Sequence, residues 1–230
     1  MESNLNKSFK KFLIIWFGEF VSSIVSGLTA FALAIYMFER TNSATNVALI
    51  TLCAFLPSLL LSPLGGVLAD KFDRRLMMIL GDSLSAIGLV YILVCMLTGE
   101  IAIWQIYFGV TISSVFSSLM EPAYKATVTD LLSEEEFVKA SGFVQVAYSS
   151  KYLLSPIIAG FLLSATNIEF ILIIDICTFF VTVFTVLFVK QNMETKKVNN
   201  MEINFLKELK EGWQVITSTK GILILVFLIS

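Results

Sequence analysis

Gly65-Gly66-Val67-Leu68-Ala69-Asp70-Lys71-Phe72-Asp73-Arg74-Arg75 is a short charged segment between two long apolar runs, 47–69 and 76–97. Each run is roughly twenty residues, enough for a helix to cross ~30 Å of hydrocarbon. Five of the six residues from Asp70 to Arg75 are charged. Charges at that density do not sit in hydrocarbon, so the segment is a turn at one membrane face. Lys71, Arg74 and Arg75 assign that face to the cytoplasm by the positive-inside rule. The flanking runs are then two consecutive spans.

Composition extends this reading to the whole chain. Of 230 residues, 57% are hydrophobic and 15% charged, and mean hydropathy is +0.84. A soluble domain holds about 45–50% apolar and about 25% charged residues. The chain is therefore read as a polytopic membrane protein whose first partner is the lipid bilayer. A net charge of −2 excludes a nucleic-acid partner drawn to a basic surface. Cys53, Cys95 and Cys177 lie in apolar runs without metal-ligand spacing, and are expected as small core residues. Histidine is absent, so no imidazole relays protons or binds zinc; no cofactor is implied.

Residues 1–11 are polar, with Lys7, Lys10 and Lys11, and read as a cytoplasmic tail. Ala30-Phe31-Ala32 is similar to a leader-cleavage site. However, the apolar stretch is too long for a leader, carries Glu19 and is followed by five more spans. The first span is 12–38. Glu19, Ser22, Ser23, Ser26 and Thr29 share one helical face there. A polar stripe in a lipid span faces the bundle or a cavity. The second span, 47–69, puts the small residues Thr51, Ser58, Ser62, Gly65 and Ala69 on one face for close packing. Pro57 and Pro63 are expected to bend it. The third, 76–97, holds Asp82, with Gly81, Ser85 and Gly88 as packing contacts.

The fourth span, 102–123, carries a second stripe: Tyr107, Thr111, Ser114, Ser117, Ser118 and Glu121. Hydroxyls alone fit helix–helix hydrogen bonding. With Glu121 on the same face, a wet surface is the preferred reading. Residues 124–139 are read as an inner segment. In it Ser133 and Glu136 form a capping box, with Leu132 and Phe137 as a hydrophobic staple. The fifth span, 140–164, contains Lys151 near the bilayer centre, then Ser155-Pro156-Ile157-Ile158-Ala159-Gly160. The sixth, 170–189, aligns Asp175, Thr178, Thr182 and Thr185. Residues 190–220 are a polar linker. Phe205, Leu209, Trp213 and Ile216 within it outline an amphipathic helix on the inner surface. Residues 221–230 are apolar and read as the start of a seventh span.

Orientation follows from Lys and Arg. Fourteen of sixteen lie in segments read as cytoplasmic; the exceptions are Arg40, in an outer loop, and Lys151, within a span. The expected fold is an all-α membrane protein, a six-transmembrane-helix bundle with both ends inside.

The segment around Asp70 also resembles the loop between spans two and three of the major facilitator superfamily, roughly G-x-x-x-D-(R/K)-x-G-(R/K)-(R/K). Gly66, Asp70, Lys71, Arg74 and Arg75 match it, and Asp73 stands where the family has Gly. With the six spans and the inner linker, the chain is similar to the N-terminal half of a twelve-span facilitator. Trp16–Ser22, Gly27–Leu33, Glu121-Pro122-Ala123, Asp175 and 205–213 resemble the macrolide-efflux-like branch, whose members usually carry Gln where this chain has Glu19. Pro156 and Gly160 resemble a span-five exporter motif. In it Ser155 and Ala159 replace glycines, and Lys151 is unusual.

The resemblance implies a plasma-membrane secondary transporter that exports drugs or amphipathic small molecules, by alternating access in exchange for protons. Its partners would be a small-molecule substrate, protons, and a missing C-terminal half or second copy. The expected substrate or proton-coupling residues are Glu19, Ser22, Ser26, Tyr107, Thr111, Ser114, Glu121 and Lys151. Glu19 is either the coupling group or held by Lys151 as a structural pair, with Asp175 competing for Lys151. The loop residues Gly66, Asp70, Lys71, Arg74 and Arg75 would form the gate. One rival is a membrane fragment that acts only by binding another transporter half. An intramembrane enzyme is the other, and no Ser/His pair, metal cluster or paired-aspartate motif supports it.

Overall fold

The computed structural model describes residues 2–190, with side chains from 8 to 187. The described residues form six helices joined by short connections: α1 (Glu2–Thr41), α2 (Ala44–Lys71), α3 (Arg74–Thr98), α4 (Ile103–Leu131), α5 (Glu134–Ala165) and α6 (Ile168–Lys190). All six are long and apolar enough to cross a membrane. The linker helix expected around Phe205–Ile216 and the seventh span at 221–230 lie outside the described residues.

Local chemistry sets the helix ends. Asn42 closes α1 with φ 48, a left-handed conformation that Asn tolerates, and its N–H donates to the Phe38 carbonyl at 2.7 Å. Asp73 caps α3 by accepting from Arg75 N at 3.0 Å and Leu76 N at 3.5 Å. The capping box at α5 forms: Glu136 N donates to Ser133 Oγ at 3.4 Å, and Ser133 N to Glu136 Oε2 at 3.3 Å. Phe137, the expected staple residue, is 40% exposed, and Leu132 packs against the core.

Several boundaries differ from the sequence reading. Helix α1 runs through the expected tail. Helix α4 continues to Leu131, so residues 124–131 of the expected inner segment 124–139 are helical, while α5 starts at Glu134 as the capping box indicates. The reason is visible in α4. Tyr124, Thr127 and Val128 extend its buried face at helical spacing, and Thr127 Oγ1 donates to the Ala123 carbonyl at 2.8 Å. Hydrocarbon thickness sets only a minimum length. Helix α2 runs uninterrupted through Pro57 and Pro63. On its small-residue face Gly65 and Ala69 are buried, while Thr51 and Ser62 are exposed. Cys177 is exposed instead of in the core.

The main packing pairs are α3 with α4, α2 with α4, α1 with α5, α1 with α6, and α3 with α6. Exchanging α1 with α4, α2 with α5 and α3 with α6 maps this set onto itself. The six helices are therefore two three-helix units related by an internal pseudo-symmetry, the arrangement seen in transporters built from repeats. The core has two parts. Leu33, Met37, Ile92, Ile106 and Leu172 fill the end near the α1–α2 turn; Phe12, Met78, Tyr124 and Val186 fill the other.

The α3–α4 seam is the tightest. A Cβ on Gly88 would collide with the Gly109 carbonyl oxygen and come within 2.7 Å of Ser113 N. Only small residues allow backbones this close. At Gly66 a Cβ would meet nothing within 4 Å. Gly88→Leu is therefore expected to destabilise the bundle by about 1–3 kcal/mol, and Gly66→Ala to be near neutral. Thermal unfolding of the two variants in detergent checks this ordering.

Candidate functional site

The polar stripes of α1 and α4 meet at a cavity of about 240 Å³ walled by all six helices. Ser26 and Thr29 come from α1, Ser114 and Glu121 from α4, Lys151 from α5 and Asp175 from α6. Asp175 is 1% exposed and accepts a hydrogen bond from Ser26 Oγ at 3.0 Å. A groove of similar size, about 260 Å³, opens between α3 and α6. Its wall is apolar and includes the exposed Ile87 and Phe180, and it bears no charge. Of the two, the first carries the charged side chains.

Of the residues expected at the site, Ser26, Ser114, Glu121 and Lys151 line this cavity. Ser22 is buried at 6% exposure in the bundle. Tyr107 sits toward the α1–α2 turn, where its hydroxyl donates to Asn46 Oδ1 at 3.0 Å. Thr111 Oγ1 donates to the Tyr107 carbonyl at 2.7 Å. Ser114 Oγ donates to the Ala54 carbonyl and ties α4 to α2. Ser114 thus serves both helix packing and the cavity wall. Glu121 is half-exposed and paired with Lys125 Nζ at 2.8 Å.

Glu19 lies seven residues before the cavity residue Ser26 on α1, next to the α1–α6 contact at Gly18, where a Cβ would come within 2.5 Å of Thr185 Oγ1. Its Oε2 is buried and has no hydrogen-bond partner among the described residues. The same holds for Thr29 Oγ1 and for Asp82 Oδ2. Asp82, at 4% exposure on α3, faces Glu19 and Asp175 across the bundle. Among the described residues, Lys151 is in no ion pair within 4.0 Å.

Two features of this region escaped the sequence reading. Ser85 Oγ lies 2.8 Å from Ser113 Oγ and 2.9 Å from Ser117 Oγ, a hydroxyl cluster that bridges α3 and α4. Ser113 is off the stripe drawn on α4, and only the position of α3 reveals its use. The second is Asp130. Arg74 Nη1 bonds to Asp130 Oδ2 and to the Ala126 carbonyl at 3.1 Å. Its Nε donates to the Ala69 carbonyl at 3.0 Å and its Nη2 to Asp70 Oδ1 at 3.4 Å. One guanidinium thus joins the end of α2, the start of α3 and the end of α4. Lys71 Nζ lies 6.0 Å from the centre of the Phe72 ring.

The departures from the resembled motifs have local roles. Asp73, in place of Gly, is the cap of α3. Ser155 and Ala159, in place of glycines, are buried at 1% and 0% exposure, and Ser155 Oγ donates to the Ile24 carbonyl at 2.8 Å. Gly160 itself faces open space. Pro156 lies inside α5 without interrupting it.

Residues 15–230 match the family model of the Major Facilitator Superfamily. The chain is 31% identical to macrolide efflux protein A of Streptococcus pyogenes over 212 residues, 92% of this chain and 52% of that protein. It is 24% identical to multidrug resistance protein 2 of Bacillus subtilis over 217 residues, 92% of this chain and 53% of that protein. With the enterobactin exporter EntS of Shigella flexneri it shares 26% identity over 168 residues, 72% of this chain and 40% of that protein. The chain thus spans about half the length of the first of these relatives.

The capping role of Asp73 separates two substitutions. Asp73→Ala removes the acceptor and is expected to cost about 1 kcal/mol; Asp73→Gly, the residue of the resembled motif, costs only a few tenths. Unfolding midpoints of the two variants, measured side by side, check the order.

Proposed function

The chain belongs to the major facilitator superfamily, and from that premise we propose that it is the first half of a secondary exporter of drugs or other amphipathic small molecules. The observation that carries this reading is the polar cavity walled by six helices of membrane-spanning length. In hydrocarbon, such a cavity is costly unless it is used. The names of similar proteins, which include efflux proteins and an exporter, agree in substrate direction. Transport, not catalysis, is the activity proposed.

In this reading Glu19 is the proton-coupling group. It is an acid on α1, a helix that lines the cavity, with a buried oxygen unbonded among the described residues. Ser22, Ser26, Tyr107, Thr111, Ser114, Glu121 and Lys151 shape or support the path. Asp70, Lys71, Arg74 and Arg75, with Asp130, form the gate: the guanidinium of Arg74 holds three helix ends together, and opening must break those bonds. Gly66, where a Cβ would meet nothing within 4 Å, belongs to the same segment. Pro156 and Gly160 lie on α5, the helix that carries Lys151 into the cavity. The remaining domains are a linker at 190–220 and the start of a seventh span at 221–230, leading into a second six-span half. The protein sits in the plasma membrane with both ends of the six-span unit cytoplasmic.

Two measurements test the proposal. Topology is checked by single cysteines at exposed turns: Asn42 and Asn167 are expected to react with an impermeant thiol reagent added to intact cells, and Ser133 is not. Labelling at Ser133 alone would reverse the orientation. Coupling is checked in cells that express the chain together with a second six-span half. Glu19→Gln is expected to abolish gradient-driven export of a cationic dye at normal expression. Export at the parent rate would remove Glu19 from the coupling role.

A further inference from the structure

We propose that Lys151 is the cavity's built-in counter-ion, shared between Glu19 on α1 and Asp175 on α6, and that a lipophilic cation entering the cavity takes its place on those carboxylates. This makes Lys151 a specificity-determining residue that weakens binding of cations and favours anions. The inference rests on the reading of the cavity as the substrate site.

The geometry is as follows. Lys151 is the one basic side chain on the cavity wall among the described residues. Its base is fixed. A Cβ on Gly27 would come within 2.8 Å of Lys151 Cγ and 2.6 Å of Ser155 Oγ, so the stem runs directly over the backbone of α1. One turn further on, the bond from Ser155 Oγ to the Ile24 carbonyl pins α5 to α1 at 2.8 Å. Its end is not fixed: no carboxylate lies within 4.0 Å of Nζ among the described residues. A lysine ammonium on a four-carbon stem can therefore swing between partners.

Two acids compete for it. Lys151 attracts both Glu19 and Asp175. Asp175 already has Ser26 as a donor at 3.0 Å, whereas Glu19 Oε2 has none. The other acid on the wall, Glu121, is held by Lys125. Thr29, at 3% exposure on the cavity wall, puts its hydroxyl beside Asp175. Lys151 and Asp175 share the cavity wall without an ion pair between them, so a guest cation and Lys151 contend for the same carboxylate.

The test uses the chain in lipid nanodiscs and two ions of the same shape and opposite charge, tetraphenylphosphonium and tetraphenylborate. Binding is measured by equilibrium dialysis, with empty nanodiscs subtracted. Lys151→Met is expected to bind the cation about tenfold more tightly than the parent and the anion correspondingly more weakly, because a unit charge a few ångströms away is removed. Lys151→Arg should keep the parent's ratio of the two affinities. Adding Asp175→Asn to Lys151→Met should erase most of the gain. If the Met variant does not give a monodisperse preparation, Lys151→Gln is measured against the same expectations. Should the parent bind the ions while neither neutral variant shifts the ratio, the counter-ion role fails and the cavity reading stands. Binding by no form of the chain overturns both.

Discussion

A polar group inside hydrocarbon must find its partner within the protein, and that constraint organises this bundle. Most of its hydroxyls answer it locally. Thr111, Thr127 and Thr182 each donate to the carbonyl four residues back, at 2.7, 2.8 and 3.4 Å. Others answer it across helices: Ser155 to α1, Ser114 to α2, Ser85 to both Ser113 and Ser117. These bonds do more than satisfy oxygens. They occur where small residues let helices approach, so hydrogen bonding and close packing reinforce each other along the α1–α5 and α3–α4 seams. Left over after this pairing are Glu19 and Asp82, each with a buried oxygen that has no partner among the described residues.

The gate segment shows the same constraint at the membrane face. Charges are tolerable there, so the interactions are ionic and arginine-centred. Arg74 is suited to the task because its planar guanidinium presents several donors in fixed directions. It reaches two carbonyls and two carboxylates on three helix ends. Exposed ion pairs contribute little singly. Here the value lies in geometry: one side chain defines how three ends sit together, and a rearrangement of any one of them must break its bonds.

The fold was largely legible in the sequence, and the site only in part. Length and apolarity marked the six spans, because hydrocarbon leaves few alternatives to a helix. Boundaries were less legible. Helix α4 runs past 123 because Tyr124, Thr127 and Val128 keep its buried face going, and hydrophobic thickness says nothing about that. The α5 capping box was legible since both its partners lie within four residues. Asp130 was not: its partner Arg74 is 56 residues away, and no local pattern couples them. For the same reason Ser113 was missed, although Ser85 and Ser117 were noticed. Lys151 was seen as anomalous from its position alone. That it threads over Gly27 and shares a cavity wall with Asp175 required the placement of α1 and α6.

The internal symmetry sharpens the question of why one side of the cavity differs from the other. Helices α1 and α4 are equivalent under the exchange of the two three-helix units, and each carries a polar stripe with one acid. Their acids are treated differently. Glu121 on α4 is half-exposed and neutralised by Lys125, four residues along the same helix. Glu19 on α1 has no lysine on its own helix one turn away in either direction; residues 15 and 23 are Ile and Ser. Its charge must be met from another helix, and the cation that attracts it is Lys151 on α5. A pair within one helix is indifferent to how helices move. An attraction between α1 and α5, contested by Asp175 on α6, changes whenever those helices shift. The bundle has thus placed its self-contained ion pair on α4 and its inter-helix electrostatics at α1, α5 and α6, where motion and charge can be coupled.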